Sequence, residues 1–106
     1  DGKQIRDFVA VQDVAQANLL AADAKNVSGR VFNIGRGERT NLLELLAALN
    51  RAIGTHVEPN FGPPRIGDVR DSQADVSAAR RDLGFSPSVG FQARVAQCVE
   101  YYRSLM

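Results

Sequence analysis

The order of apolar patterns along the chain is the feature that most restricts its fold. Residues 5–11, IRDFVAV, are rich in β-branched and aromatic side chains, and apolar residues occupy both faces of the expected strand. This pattern is typical of a strand buried between two layers, as in a parallel sheet. A helical pattern follows at residues 13–25, then a short strand-like run at residues 29–37 and further helical patterns. The alternation predicts an α/β fold.

Capping signals predict where the first two helices begin and end. Asp13 with Gln16 three residues later has the spacing of a capping box, so the first helix is expected to begin at Asp13. The second helix is expected to begin at the cap Asn41 and to end before Gly54, which suits the left-handed position after a helix. Its apolar stripe consists of Leu42, Leu45, Leu46, Leu49 and Ile53.

Two further helices are predicted in the second half of the chain. One is expected to run from the cap Asp75 to Leu83, with Gly84 as a glycine stop and Phe85 as the hydrophobic contact after it. The other follows Gly90 and is expected to bury an apolar stripe that consists of Phe91, Val95, Cys98, Val99 and Tyr102.

Residues 56–61 are a candidate short strand between the second and third predicted helices.

Composition excludes several classes of protein. The chain has 106 residues, about the length of one domain, and a formal net charge of +1. Nucleic-acid and anionic-membrane surfaces need a strong basic excess, so neither partner is expected. No apolar run approaches the roughly 20 residues of a membrane span. One cysteine and one histidine exclude an internal disulfide and make a zinc cluster unexpected, and a reducing cytoplasm is the expected location.

The loop NIGRGERT, residues 33–40, invites comparison with a phosphate-binding loop. It lacks the third glycine of GxGxxG and has no GK[ST] sequence, so a tight turn using Gly35 and Gly37 is the preferred interpretation. Asn33 remains a candidate for lining a cleft at the end of the preceding strand. His56 has no serine, cysteine or carboxylate motif around it and is expected to be a loop histidine.

Arg6 stands in an otherwise apolar strand-like run. A buried guanidinium needs a partner, which could be the adjacent Asp7, another carboxylate or a bound anion. These alternatives stay open on the residues alone.

The heptad RIGDVRD, residues 65–71, places two arginines and two aspartates around one glycine. A guanidinium matches phosphate oxygens bidentately, which suits Arg65 and Arg70 to an anion. Ionised Asp68 and Asp71 accept hydrogen bonds, which suits them to vicinal hydroxyls such as those of a ribose. Two interpretations remain open: a solvated loop of internal salt bridges, or a site for a phosphate and a ribose.

Three collinear segments together resemble one protein family. They are DGKQIRDFVAVQDVAQANLLAA, GRVFNIGRGERTNLLELL and RIGDVRDSQADVSAARRDLGFSP. In this order they resemble the carboxyl-terminal third of NAD-dependent nucleotide-sugar epimerases and dehydratases, the extended short-chain dehydrogenase/reductase family, and in particular UDP-glucose and UDP-N-acetylglucosamine 4-epimerases. The resemblance covers essentially all of residues 1–106. It implies an α/β region of few strands and about four helices, which lacks the family's central Rossmann sheet.

The resemblance also implies roles for individual residues. In that family the arginine of the RDF motif and the arginine and aspartate of the RxGD motif bind the UDP part of the substrate. They correspond to Arg6, Arg65 and Asp68, with the arginines on the diphosphate and the aspartate on a ribose hydroxyl. Arg70, in the same loop, is a secondary candidate for substrate binding.

Four positions depart from the family's pattern, and one of them, Asn41 in place of serine, is an equivalent helix cap. Ala10 and Gln12 stand where the family commonly has an aromatic residue or histidine and an acidic residue, and Asp71 replaces a frequent histidine. The other three departures concern the choice of sugar and leave the phosphate-binding set in place.

The family's glycine-rich NAD fingerprint and its Ser/Tyr/Lys catalytic group have no counterpart among these residues. The resemblance therefore implies a UDP-sugar-binding region with no catalytic residue and no cofactor of its own, NAD belonging to the rest of the enzyme. Its expected partners are UDP or a UDP-sugar, and either an amino-terminal Rossmann half or a second copy of the chain. The alternatives are a self-standing oligomeric binding or assembly module, or part of a nucleotide-sugar dehydratase or decarboxylase.

Overall fold

The computed structural model describes all 106 residues, which form two compact units. The first unit consists of Asp1–Arg6, Thr40–Asp71 and Val89–Met106, and the second of Asp7–Arg39 and Ser72–Ser88. The elements in chain order are β1 (Ile5–Arg6), α1 (Val11–Asp23), β2 (Thr40–Asn41), α2 (Leu42–Ile53), α3 (Ser77–Leu83) and α4 (Phe91–Ser104). The predicted α/β class, with few strands and four helices, is confirmed.

In the first unit, a short ribbon leads directly into α2. β1 pairs with β2 antiparallel, with Ile5 opposite Asn41 and Arg6 opposite Thr40. The side chain of Asn41 accepts a hydrogen bond from the Glu44 amide at 2.8 Å, so the predicted N-cap is confirmed. Gly54 ends α2 with φ = 83°, also as predicted. α2 packs against α4.

The strand predictions were largely wrong. The expected strand over residues 5–11 is only two residues long and pairs antiparallel, and neither residues 29–37 nor residues 56–61 form a strand. High β propensity reports how well a side chain fits a pleated, half-buried surface, and it forms a strand only where a neighbouring strand is present. This chain supplies no further strands to pair with these runs.

The second unit has its core between α1, α3 and the loop after α3. Ala17, Ala79, Leu83 and Phe85 form a buried cluster, and Phe85 is only 1% exposed. Gly84 ends α3 with φ = 68°, and the Phe85 amide donates to the Ala79 carbonyl at 3.2 Å. The predicted glycine stop followed by a hydrophobic contact is therefore confirmed.

Two helix starts differ from the capping predictions. α1 begins at Val11, and Asp13 lies inside its first turn, fully buried beside the Arg36 guanidinium at 3.8 Å. α3 begins at Ser77, and Asp75 accepts hydrogen bonds from the Ser77 hydroxyl and amide, which lower the pKa of the Asp75 carboxyl. The spacing predicted correctly that both carboxylates lie near helix starts, but each helix begins two residues away from its predicted cap.

The predicted buried stripe of α4 is narrower than expected. Val95 and Val99 are buried, whereas Cys98 is exposed and Tyr102 is 62% exposed. The assignment of Cys98 and Tyr102 to the core was therefore wrong. Positions four residues apart on a helix share one narrow face, and Val95 and Val99 lie on such a face of α4.

Candidate functional site

A cleft of about 910 Å³ lies within the first unit, a size typical of ligand pockets. One part of its lining is ionisable and the other is apolar. The ionisable residues come from the chain start, β1 and the RIGDVRD loop: Asp1, Arg6, Arg65, Asp68 and Arg70. The apolar residues come from the first turns of α2 and the loop after it: Leu42, Leu43, Leu46, Pro59, Phe61, Pro63 and Pro64. All four site residues expected from the sequence line this one cleft.

Arg6 lies at the end of β1 and is held from several directions. Its guanidinium donates to Asp68 Oδ1 at 2.9 Å, to the Ile5 carbonyl at 2.7 Å and to the Arg70 carbonyl at 3.4 Å. The partner that the sequence left open is therefore Asp68. The Arg6 side chain is 29% exposed, so part of the guanidinium still faces solvent.

Asp68 has one oxygen available for a further hydrogen bond. Oδ1 accepts from Arg6, while Oδ2 has no hydrogen-bond partner in the protein, and the side chain is 39% exposed. A carboxylate with one oxygen fixed by a guanidinium presents the other as an oriented acceptor for a hydroxyl.

Arg65 is the one arginine of the cleft whose side chain makes no hydrogen bond or ion pair within the protein. It lies on an exposed loop over residues 58–67, named here the strap, which contains three prolines and two glycines. The only backbone hydrogen bond between the strap and the rest of the unit runs from the Asp68 amide to the Arg65 carbonyl, at 3.3 Å. The donors of the Arg65 guanidinium are therefore available to an anion in the cleft.

Arg70 differs from Arg65 because its guanidinium is already paired with a carboxylate. Its two terminal nitrogens donate to the two carboxylate oxygens of Asp1 at 3.0 and 2.9 Å, a bidentate pair. The Arg70 carbonyl accepts from the Ile5 amide at 2.9 Å, and Asp71 forms an isolated parallel bridge with Ile5. The ionisable side chains of the cleft are thus three cations and two anions, which leaves one net positive charge.

Sequence reasoning missed the part played by Asp1 and Gly2 and by the leucines that begin α2. Gly2 has φ = 77°, and its carbonyl accepts from the Leu43 amide at 3.1 Å. The Asp-Gly pair is itself a turn signal and could have drawn attention to this position. Leu42 and Leu46 were predicted only as members of a core stripe, since helical periodicity does not distinguish a core face from a cleft wall.

The loop at residues 35–37, in the second unit, is a structural turn. The Asp7 carboxylate accepts from the backbone amides of Arg36 and Gly37, both at 2.8 Å, and from that of Ala74 at 3.3 Å. A β-carbon on Gly35 would lie 2.7 Å from Asp7 Oδ2. Glycine at position 35 therefore allows the Asp7 carboxylate to approach the backbone closely. The loop is a turn, as the sequence predicted, although no strand precedes it.

The remaining candidates from the sequence lie apart from the cleft. His56 is an exposed loop residue, as expected, and Asn33 is exposed in the second unit. No group of three or more histidine, cysteine, aspartate or glutamate side chains is arranged to hold a metal ion. None of the four helices has the length and apolar character needed to cross a membrane.

Comparisons with known proteins identify a consistent set of relatives. Residues 1–35 match the model of the NAD dependent epimerase/dehydratase family. The chain is 40% identical to a UDP-glucose 4-epimerase of Mycolicibacterium smegmatis over 98% of its own length and 33% of that protein's. It is 41% identical to the solved Thermotoga maritima UDP-glucose 4-epimerase with UDP-glucose, with a TM-score of 0.89 over 99% of this chain and 33% of that one.

A third relative shows the same fold at lower identity. The UDP-N-acetylglucosamine 4-epimerase of Methanobrevibacter ruminantium, solved in complex with UDP-N-acetylmuramic acid, is 27% identical with a TM-score of 0.90 over 100% of this chain and 34% of that one. The chain thus spans about a third of the length of the relatives it matches.

Proposed function

We propose that this chain, which belongs to the NAD-dependent epimerase/dehydratase family, is the UDP-sugar-binding portion of a sugar 4-epimerase-like enzyme and has no turnover by itself. One observation carries the proposal. Arg6 and Asp68 meet 62 positions apart in the sequence, and both line the same cleft as the unpaired Arg65. The solved relatives cited above contain UDP-glucose and UDP-N-acetylmuramic acid, so UDP is the group their ligands share.

The chemistry of the cleft suits a nucleoside diphosphate in three ways. The guanidiniums of Arg65 and Arg6 donate charge-assisted hydrogen bonds to phosphate oxygens. The free Oδ2 of Asp68 accepts from a ribose hydroxyl. The wall formed by α2 and Phe61 offers apolar surface for the base. Because Asp68 also pairs with Arg6, this contact places the group that would bind ribose next to a group that would bind phosphate.

The loop at residues 35–37 does not fit the NAD phosphates. Its amides of Arg36 and Gly37 already donate to the Asp7 carboxylate, and a negative charge at that point repels a pyrophosphate. We therefore assign to this chain the binding of the UDP-sugar, without NAD, and no step of hydride transfer. Conversion of the sugar, whether by epimerisation, dehydration or decarboxylation, would need residues from an amino-terminal Rossmann half.

Titration of the chain with UDP in a calorimeter tests this assignment. We expect saturable binding that weakens as salt is added, because charge interactions across a partly exposed cleft are screened over about 10 Å at 0.1 M salt. Arg65→Ala should weaken UDP binding by about 10-fold or more, since a hydrogen bond to a charged group contributes roughly 1.5–3 kcal/mol. Arg103→Ala is the matched control, because it removes the same charge from α4, away from the cleft.

Two results would contradict the proposed function. One is the absence of saturable heat from UDP in a sample whose circular dichroism shows it to be folded. The other is an equal loss of affinity in Arg65→Ala and Arg103→Ala, which would reduce the role of Arg65 to its charge alone.

A second candidate function, a self-associating binding or assembly module, is favoured by an exposed apolar patch at the end of α4. Tyr101, Tyr102, Leu105 and Met106 are 59%, 62%, 64% and 102% exposed. Apolar patches of this kind commonly mark interfaces between proteins.

The free, exposed Cys98 agrees with the proposal of a reducing, cytoplasmic location.

Self-association predicts a concentration-dependent mass. We expect light scattering to report a homodimer or larger species at high micromolar concentration, because a second copy can cover the apolar end of α4. Tyr102→Ser should shift the chain towards monomer, whereas Val57→Ser, at a similarly exposed apolar residue in the same unit, should not. A monomeric mass across the whole concentration range would reject this candidate.

A further inference from the structure

We propose that Asp1 and Gly2 position the two walls of the cleft, and that Arg70 acts through Asp1 without contacting the ligand. This inference rests on the proposed function, because it concerns the same cleft. It assigns Asp1, Gly2 and Arg70 as positioning residues, and it leaves the ligand contacts to Arg6, Arg65 and Asp68.

Gly2 is wedged between the two apolar sides of the cleft. A β-carbon at Gly2 would lie 2.8 Å from Leu43 Cδ2 on α2 and 3.2 Å from Phe61 Cε1 on the strap. Both distances are below ordinary van der Waals contact, so the bare α-carbon of glycine sets how closely α2 and the strap approach each other. The Gly2 carbonyl also accepts a hydrogen bond from the Leu43 amide, which connects Gly2 to the first turn of α2.

Asp1 connects the start of the chain to the region just after the strap. Its carboxylate holds both terminal nitrogens of Arg70, three residues beyond Gly67, where the strap ends. Val57 lies just before the other end of the strap. The Asn50 side-chain amide donates to the Val57 carbonyl at 3.0 Å, and its oxygen accepts from the Val57 amide at 3.1 Å. The strap is thus fixed at its two ends, with Gly2 against its middle at Phe61.

The contrast between Arg70 and Arg65 follows from their partners. Asp1 takes two of the five N–H donors of Arg70 in a bidentate pair, so a phosphate that bound the same edge of the guanidinium would have to displace a carboxylate that already matches it. Arg65 has no such competitor. Arg65 is therefore the cation of the cleft with the most donors available to an anion.

A pair of glycine variants separates positioning from general stability. Gly2→Ala and Gly54→Ala both place a side chain at positive φ, 77° and 83°, but a methyl group at Gly54 meets nothing within 4 Å. Backbone strain should lower both melting temperatures by comparable amounts, and the overlap with Leu43 should lower that of Gly2→Ala further. We expect the Kd for UDP to rise about fivefold or more in Gly2→Ala and less than about twofold in Gly54→Ala. Equal effects on the Kd would overturn the proposal.

Charge reversal tests the role assigned to Arg70. The double variant Asp1→Arg with Arg70→Asp keeps both the net charge and the opportunity for an ion pair, so its Kd for UDP should stay within about threefold of the wild type. If Arg70 contacts a phosphate, the reversal should weaken binding by about 10-fold or more, and Asp1→Asn alone should tighten it by freeing the guanidinium. Glu100→Gln, on α4, controls for loss of one carboxylate in the same unit.

A readout without ligand distinguishes failure of this inference from failure of the proposed function. Hydrogen exchange of the Leu43 amide, which donates to the Gly2 carbonyl, should accelerate in Gly2→Ala and stay unchanged in Gly54→Ala. If the wild-type chain does not bind UDP, the proposed function is wrong, and this exchange measurement alone decides whether Gly2 positions α2. Unchanged exchange in Gly2→Ala would overturn the positioning role in either case.

Discussion

Phe85→Ala should lower the free energy of unfolding by about 3–5 kcal/mol, the range found for large aromatic side chains removed from protein cores. Phe85 is 1% exposed and packs in the cluster with Ala17, Ala79 and Leu83. Two of those neighbours are alanines, whose short side chains cannot move in to fill the space. The variant therefore loses both the burial of the ring and the contacts around the cavity left behind.

Urea unfolding followed by circular dichroism measures this loss as a lower midpoint. Val31→Ala is the matched control, because Val31 belongs to the same unit but is 91% exposed, and its truncation should cost less than about 0.5 kcal/mol. Phe85→Leu, which keeps most of the apolar volume, should unfold at a midpoint between wild type and Phe85→Ala. A midpoint for Phe85→Ala equal to that of Val31→Ala would show that the second unit does not depend on this core.

Asp7→Asn should lower the free energy of unfolding by about 2–4 kcal/mol, although the two side chains have nearly the same shape. Asp7 Oδ1 accepts from the Arg36 amide, and Oδ2 accepts from the amides of Gly37 and Ala74. An asparagine has only one acceptor oxygen, so its NH₂ group must face at least one backbone N–H. Each part-buried amide left without an acceptor costs about 1–3 kcal/mol, and the repulsion between donors adds to that.

The same urea experiment tests this prediction, with Asp23→Asn as the control. Asp23 is exposed at the end of α1 in the same unit and makes no hydrogen bond through its side chain, so its replacement should change stability by less than about 0.5 kcal/mol. Because Asp7 belongs to the second unit, UDP binding by the first unit offers a further check on whether the loss of stability stays local. Equal stability of the two variants would show that the three amides find other acceptors.

Local sequence patterns predicted the helices well where a cap and a stop lie within a few residues of the periodic segment. As expected, α2 begins after the cap Asn41 and ends at Gly54, and α3 ends at Gly84 followed by Phe85. These signals succeed because an N-cap bond joins residues two or three positions apart and a glycine stop is a property of one residue. The same patterns failed for Asp13, which lies inside the first turn of α1, fully buried and 3.8 Å from the Arg36 guanidinium.

The strands were predicted poorly for a related reason. A helix satisfies its hydrogen bonds within itself, whereas a strand needs a partner whose position the local sequence does not contain. Residues 5–11 have strand-like composition, yet only Ile5–Arg6 finds a partner, at Thr40–Asn41. Residues 29–37 have the same character and find none within this chain.

The sequence by itself determined the chemistry available to this protein: guanidiniums and carboxylates grouped in RIGDVRD, a lone arginine in an apolar run, and helices with readable ends. Tertiary structure decided which of those groups belong together. Asp68, and not Asp7, accepts Arg6 from 62 positions away, and Asp1 occupies Arg70 from 69 positions away, which leaves Arg65 unpaired. The physical reason is that each ion pair depends on how the folded chain brings distant segments together, and no pattern of neighbouring residues records that distance.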